Sequence, residues 1–358
     1  MDYVNSYTKF LSKKLDVKRP LKVVFDCSNG TAGIILKQLL NNESGIRNKE
    51  SRSKNNELRK NSNSIIHNSK FIILNSRPDG NFPAHGPNPL INGATAELEA
   101  RVRKEKADLG IVFDADGDRV FFIDNRGRPV DAHEAGYILA QVFKPPFVVS
   151  EISSWRLKRL KVSAKGGSAS GGKNLKSNVY VSKVGHYFFK NLMRKKKTSL
   201  GLEHSGHFYF SFGEGSASGG KDIAYFDSGI LAAVEVINFV SRLENGLADW
   251  LDALPKYYRS GEINFSAQGG PASGWKDSIL RKIEEKYKKQ ATRISKLDGL
   301  TMEFGRGPST RSGQNSGEFW FNVRPSNTEN LLRLNVEAKS AEILKKVTKE
   351  VSGLISGK

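Results

Sequence analysis

Three clusters of polar residues carry the chemistry this sequence could do. Asp114-Ala115-Asp116-Gly117-Asp118-Arg119 alternates carboxylates across a Gly-containing turn, between the apolar runs IVF and VFFID. Carboxylates at that spacing can converge on one hard divalent cation, which prefers several oxygen ligands. An EF-hand is excluded, because Arg119 stands where that loop needs Gly, Asn125 where it needs Glu, and strands flank it. Mg²⁺ suits better, being held by a few carboxylates together with phosphate oxygens, and Arg119 could grip such a phosphate in a bidentate way. The second cluster, Gly201-Leu202-Glu203-His204-Ser205-Gly206-His207, offers donors and acceptors for sugar hydroxyls, with glycines that permit close backbone approach. The third, Arg324-Pro325-Ser326-Asn327-Thr328-Glu329, combines an arginine, two hydroxyls and an amide in a turn and reads as a phosphate nest. Taken singly, each is also compatible with an acidic turn, a polar turn or a plain hairpin loop.

The elements that must position these clusters follow an α/β pattern. A buried-strand run, LKVVFD (21–26), leads through the turn SNGTAG into a helix reaching Leu40. Ahead of it, Tyr3, Tyr7, Phe10 and Leu11 recur at helical spacing. Residues 71–74, 109–113 and 120–124 read as strands and 95–106 as a helix. A second set has helices at 132–143, 185–194 and 225–241, with 147–149 extended. From about Leu254 a third region holds a charged helix (275–290), strands at 301–304, 318–323 and 331–338, and a final helix (341–355). Residues 41–69 are polar and charged and read as a loop insertion. The heptapeptide GSASGGK occurs twice, at 167–173 and 215–221. Each copy is followed by Asn174 or Asp222 where a P-loop needs Ser or Thr, so both read as Gly/Ser insertions rather than phosphate cradles.

Composition bounds the function classes. The chain has 358 residues, one cysteine (Cys27) and a formal net charge of +20. A lone cysteine excludes an intrachain disulfide and makes a cytoplasmic setting the expectation. No apolar run approaches the roughly 18–20 residues of a membrane span. Residues 152–202 hold no Asp or Glu and include Lys195-Lys196-Lys197. That field would attract nucleic acid, an anionic membrane surface or phosphorylated metabolites alike. No zinc-finger or RNP-like motif accompanies it, which disfavours nucleic acid as the partner.

The order of the three clusters resembles the α-D-phosphohexomutase family (phosphomannomutases and phosphoglucomutases), whose motifs are D-G-D-G-D-R, G-E-x-S-G-H and R-P-S-G-T-E. VVFDCSNGTAG (23–33), PDGNFPAHGPNPL (78–90), SKVGHYFF (182–189) and YFDSGILAA (225–233) agree as well. The likeness spans the chain apart from insertions at about 43–69, 162–175, 214–221, 266–275 and 305–317. It implies two consecutive α/β domains followed by a smaller α+β C-terminal domain. These would be residues 1–130 with the metal loop, 131–250 with the sugar loop and 251–358 with the phosphate site. It also implies an intramolecular phosphotransferase interconverting hexose 1-phosphate and hexose 6-phosphate through a hexose 1,6-bisphosphate. Asp114, Asp116 and Asp118 would hold Mg²⁺. Glu203 and Ser205 would bind the sugar, and Arg324, Ser326, Asn327 and Thr328 the phosphate that does not react. Lys183, His186, His207 and Arg119 would neutralise charge or move protons at the reacting oxygen. The family's donor serine lies in T-A-S-H-N-P, which this sequence does not contain, so a separate phosphoserine-domain polypeptide is an expected partner. Two other departures are Ile152, where many members of the resembled family carry Lys or Arg, and Asn330, where the family's phosphate loop usually has Pro. A catalytically inactive sugar-phosphate-binding remnant and a basic nucleic-acid-binding protein are the alternatives.

Overall fold

In the computed structural model, which describes residues 2–44, 68–159, 161–162, 173–174, 178–213, 223–266, 274–305, 317–326 and 329–357, three five-stranded sheets follow one another along the chain. Most of both GSASGGK copies, along with Asn327 and Thr328, lies outside the described residues.

The first sheet takes its strands from β1 (Lys22–Asp26), β2 (Lys70–Leu74), β3 (Leu109–Phe113), β4 (Val120–Ile123) and β5 (Pro129–Val130), in the order β2-β1-β3-β4-β5. β1 pairs in parallel with β2 and β3, while β4 and β5 run antiparallel. Helices α1 (Tyr3–Lys14), α2 (Ala32–Ser44) and α3 (Ala96–Glu105) accompany it. Leu98 and Val102 of α3 bury against Val24, Val112 and Ile123 and cover one face of the sheet, as parallel strands require.

The second sheet is formed by β6 (Phe147–Ser150), β9 (Val179–Ser182), β10 (Leu200–Leu202), β11 (Phe208–Phe212) and β12 (Ala224–Asp227), in the order β12-β11-β10-β6-β9. The two-residue strands β7 (Lys161–Val162) and β8 (Lys173–Asn174) pair separately. The helices in this stretch of the chain are α4 (Ala132–Val142), α5 (Glu151–Leu157), α6 (His186–Lys196), α7 (Gly229–Val240) and α8 (Gly246–Asp252), and α4 and α7 also pack on β4 of the first sheet. The pattern of residues 225–241 predicts one helix, but residues 224–227 are strand, paired with β11. The helix begins only after Ser228, whose Oγ accepts the Leu231 N–H at 3.0 Å and caps it. Eleven of the twelve residues of α7 are buried, as an all-round apolar helix must be.

The third sheet is antiparallel: β13 (Tyr258–Ser266), β14 (Arg293–Ser295), β15 (Leu300–Phe304), β16 (Phe319–Pro325) and β17 (Leu331–Ala338), in the order β13-β17-β16-β15-β14. Helices α9 (Trp275–Tyr287) and α10 (Ala341–Ser356) bury Ile283, Tyr287, Val347, Val351 and Ile355 against its aromatic face. The fold is therefore two α/β domains and an α+β C-terminal domain, as the resemblance implies. By contacts the chain divides into two units. Met1–Val149, Arg156–Tyr180 and Phe189–Leu254 form the first, and Ser150–Trp155, Val181–Phe188 and Pro255–Lys358 the second. Among the described residues, no helix is long and apolar enough to cross a membrane.

Candidate functional site

In the first unit the acidic loop is the tight connection between β3 and β4, whose ends Phe113 and Val120 are paired. Asp114 is buried and organises the turn. Its Oδ1 accepts the Gly117 and Arg119 N–H groups at 3.2 and 3.1 Å, and its Oδ2 accepts Arg119 Nε–H at 2.6 Å. One carboxylate oxygen each from Asp114, Asp116 and Asp118 lies within 4.8 Å of the other two. Burial, followed by the nearby Asp114 and Asp116 carboxylates, pushes the Asp118 carboxyl up to about 7, with His207 opposing the rise. A cluster of anionic oxygens this close, and this reluctant to ionise together, fits a hard divalent cation.

The Glu203–His207 turn joins β10 to β11. Glu203 is buried, with Oε1 accepting from Ser205 Oγ at 3.0 Å and Oε2 from the Tyr209 hydroxyl at 2.6 Å. Gly206 has φ +92°, and a Cβ there would meet the Phe121 ring at 2.6 Å, so the turn lies directly on β4. Val120 N–H donates to Gly206 O at 3.2 Å, and Arg119 and His207 form an antiparallel bridge. His207 Nδ1 lies 3.2 Å from Asp227 Oδ2 and 3.6 Å from Asp118 Oδ2. Burial alone would lower the His207 imidazole, but Asp227, Asp118 and Glu203 together raise it. Two motifs separated by some ninety residues of sequence thus share one site, which holds Asp114, Asp116, Asp118, Arg119, Glu203, Ser205 and His207.

A nearby group, Asp131, His133 and His204, also has ligand-like spacing. Here Asp131 is the N-cap of α4, with Oδ1 accepting the His133 N–H and facing its Nδ1 at 2.9 Å, and Arg156 Nη1 stands 3.8 Å from Oδ2. A helix N-terminus beside a guanidinium opposes a cation, and the group reads as a cap.

In the second unit, Arg324 lies at the end of β16, opposite Arg333 on β17. Both guanidiniums reach Glu262, at 3.1 and 3.3 Å, and Arg333 also meets Glu329 at 2.9 Å. The buried Nε of each arginine has no partner among the described residues. Ser326 closes the turn, its N–H donating to Leu331 O and its Oγ accepting the Glu329 N–H. Lys183 and His186 are exposed. Lys183 shares with Val184, Leu297, Asp298 and Pro325 the wall of a cavity of about 690 Å³, which brings it to the edge of the arginine turn. Ile152 is buried against Trp155 and Trp320.

Sequence reasoning passes over Asp227, Tyr209 and Arg333. Tyr209 was visible in principle, since it follows His207 at the two-residue period of a strand and so shares its face. Arg333 is linked to Arg324 only by strand register.

Three models of one family match the chain in order. They are the α/β/α domain II of phosphoglucomutase/phosphomannomutase over residues 56–127, its α/β/α domain III over 161–258 and its C-terminal domain over 251–354. A phosphomannomutase of Methanocaldococcus jannaschii is 30% identical over 359 aligned positions, covering 99% of this chain and 66% of that protein. Among solved structures, a phosphoglucomutase/phosphomannomutase family protein from Burkholderia thailandensis has a TM-score of 0.69 at 19% identity, over 99% of this chain and 64% of its own. The N-acetylphosphoglucosamine mutase of Aspergillus fumigatus, solved with GlcNAc-6P and magnesium, has a TM-score of 0.57 at 14% identity, over 98% of this chain and 65% of its own. The chain thus spans just under two thirds of the length of the relatives it matches. With three successive domain models aligned in order and the acidic and sugar-type turns meeting in one unit, the chain belongs to the phosphoglucomutase/phosphomannomutase family, the α-D-phosphohexomutases.

Proposed function

We propose that this chain supplies the metal, sugar and phosphate sites of a phosphohexomutase that shifts phosphate between the 1- and 6-positions of a hexose, mannose or glucose being the expected sugars. The observation that carries the reading is the contact of the acidic loop with the Glu203–His207 turn through Val120–Gly206 and Asp118–His207. Phosphoryl transfer depends mainly on positioning and on neutralising charge, and these are the resources that such a contact gathers. In this reading Asp114, Asp116 and Asp118 hold Mg²⁺, which when bound neutralises phosphate oxygens. Arg119, fixed by Asp114, aims a second positive group at the same phosphate. Glu203, held by Tyr209, and Ser205 accept and donate to sugar hydroxyls. His207, whose imidazole is raised by Asp227 and Asp118 against the lowering effect of burial, moves a proton at the reacting oxygen. Arg324, Ser326, Asn327 and Thr328, with Arg333 added, grip the phosphate that does not react, and Lys183 and His186 add positive charge. Domain limits near 130 and 250 belong to the same proposal.

The donor is expected to be a phosphoserine in the portion of the family that this sequence does not span. The test is binding first and turnover second. Calorimetry should register Mn²⁺ or Mg²⁺ with the wild type and not with Asp116→Ala, and equal heats would sink the metal assignment. Arg324→Ala should weaken glucose 1-phosphate or mannose 1-phosphate by about 1.5–3 kcal/mol. Turnover with Mg²⁺ and a hexose 1,6-bisphosphate should appear when a separately expressed serine domain of a relative is added. Binding without turnover under any such addition would favour a sugar-phosphate-binding protein.

A further inference from the structure

Asp26 ends the central parallel strand of the first sheet and is completely buried. Its Oδ1 accepts the Ser28 N–H at 2.9 Å, Asn75 Nδ2 donates to both oxygens at 3.1 and 3.2 Å, and His85 Nε2 lies 3.1 Å from Oδ2. Only a tenth of the His85 side chain is exposed. The loops meeting here are strained. Ser28 (φ 50°), Asn29 (φ 53°), Asn75 (φ 48°) and Phe82 (φ 47°) are left-handed without being glycine, a conformation that persists only where surroundings enforce it.

Both loops grip the acidic loop by its backbone. From one side, Ser28 Oγ donates to Phe113 O at 2.5 Å, Thr31 N–H to Ala115 O at 2.8 Å, and Thr31 Oγ1 to Asp116 O at 3.1 Å. Gly30 lies so close that a Cβ would fall 2.2 Å from Ala115 O. From the other side, two residues beyond His85, Pro87 O accepts the Ala115 N–H at 3.2 Å, and Asn88 Oδ1 faces Arg119 Nη1 at 3.4 Å. Asp26 and His85 link the two grips.

We infer that Asp26 and His85 form a buried pin that positions the 113–119 loop, making both positioning residues for divalent-cation binding. The cation part of this inference rests on the metal reading above; the pinning does not. His85→Gln returns an amide donor near the Nε2 position, whereas His85→Asn offers one only near Nδ1, too short for Asp26. In the full chain without metal, hydrogen exchange at the Thr31 and Ala115 amides should accelerate about tenfold in His85→Asn, with β1 amides unchanged, and stay near wild type in His85→Gln. Mn²⁺ affinity, read by calorimetry, should fall about tenfold in His85→Asn and be largely kept in His85→Gln. Equal behaviour of the two variants, common failure to fold included, would overturn the pin. Absence of Mn²⁺ binding in the wild type would overturn the metal reading and leave exchange to decide the pin.

Discussion

Asp118 shows how a binding group can cost the protein stability. A carboxyl whose native pKa lies above its unfolded value of 3.8 holds its proton more tightly in the folded chain. Its contribution to stability is therefore full below pH 3.8 and is lost as the pH rises to about 7. Asp118→Asn should raise the urea midpoint at pH 8 in metal-free buffer and abolish any further stabilisation by Mg²⁺. The gain should fall well short of roughly 1.4 kcal/mol per pKa unit, because the side chain is 30% exposed and water screens it. Tyr209 makes the opposite case. Tyr209→Phe leaves buried Glu203 Oε2 without the hydroxyl that donates to it. The loss should be about 1–3 kcal/mol in denaturant unfolding. A change within error would mean that water already reaches Glu203.

Among the elements, what could be read from sequence was what local patterning determines. β1, its turn and α2 are legible because an apolar run, a Gly-containing turn and a helical period succeed one another. The acidic loop is legible because its carboxylates are adjacent in the chain. Residues 224–227 are not, because Tyr225 and Phe226 add to the apolar run of α7 across only the short polar step Asp227-Ser228, and pairing with β11 is what makes them strand. Ser228→Ala should cost about 1–2 kcal/mol, since Oγ both caps α7 and meets the Tyr7 hydroxyl at 2.5 Å. Asp26, His85 and Asn75 give no signal of their interaction, since a buried carboxylate looks the same in sequence as a solvated one. Gly206 is legible as a turn glycine, but its reason is the Phe121 ring, which only the fold brings near. Gly206→Ala should cost about 1–3 kcal/mol and displace the Glu203 turn, detectable as weakened sugar-phosphate binding.

Over the whole molecule, the charge of +20 is the property that sequence reports most clearly and that the site uses least. Lys195, Lys196 and Lys197 are exposed near the end of α6, and exposed charges are screened within about 8 Å at physiological salt. Replacing all three by Ser should change sugar-phosphate affinity less than Arg324→Ala does at that salt. The reverse ranking would favour a basic-surface function. The bridge between Arg119 and His207 carries a different consequence for the protein as a whole. On the proposed reading, a sugar seated on the Glu203 turn and a cation in the acidic loop occupy two sites that share one piece of backbone. Any factor by which the sugar tightens the cation must then reappear as the factor by which the cation tightens the sugar. Cellular Mg²⁺ would in that case set the chain's apparent preference for its sugar phosphate, and a dissociation constant for either ligand would have meaning only at a stated concentration of the other.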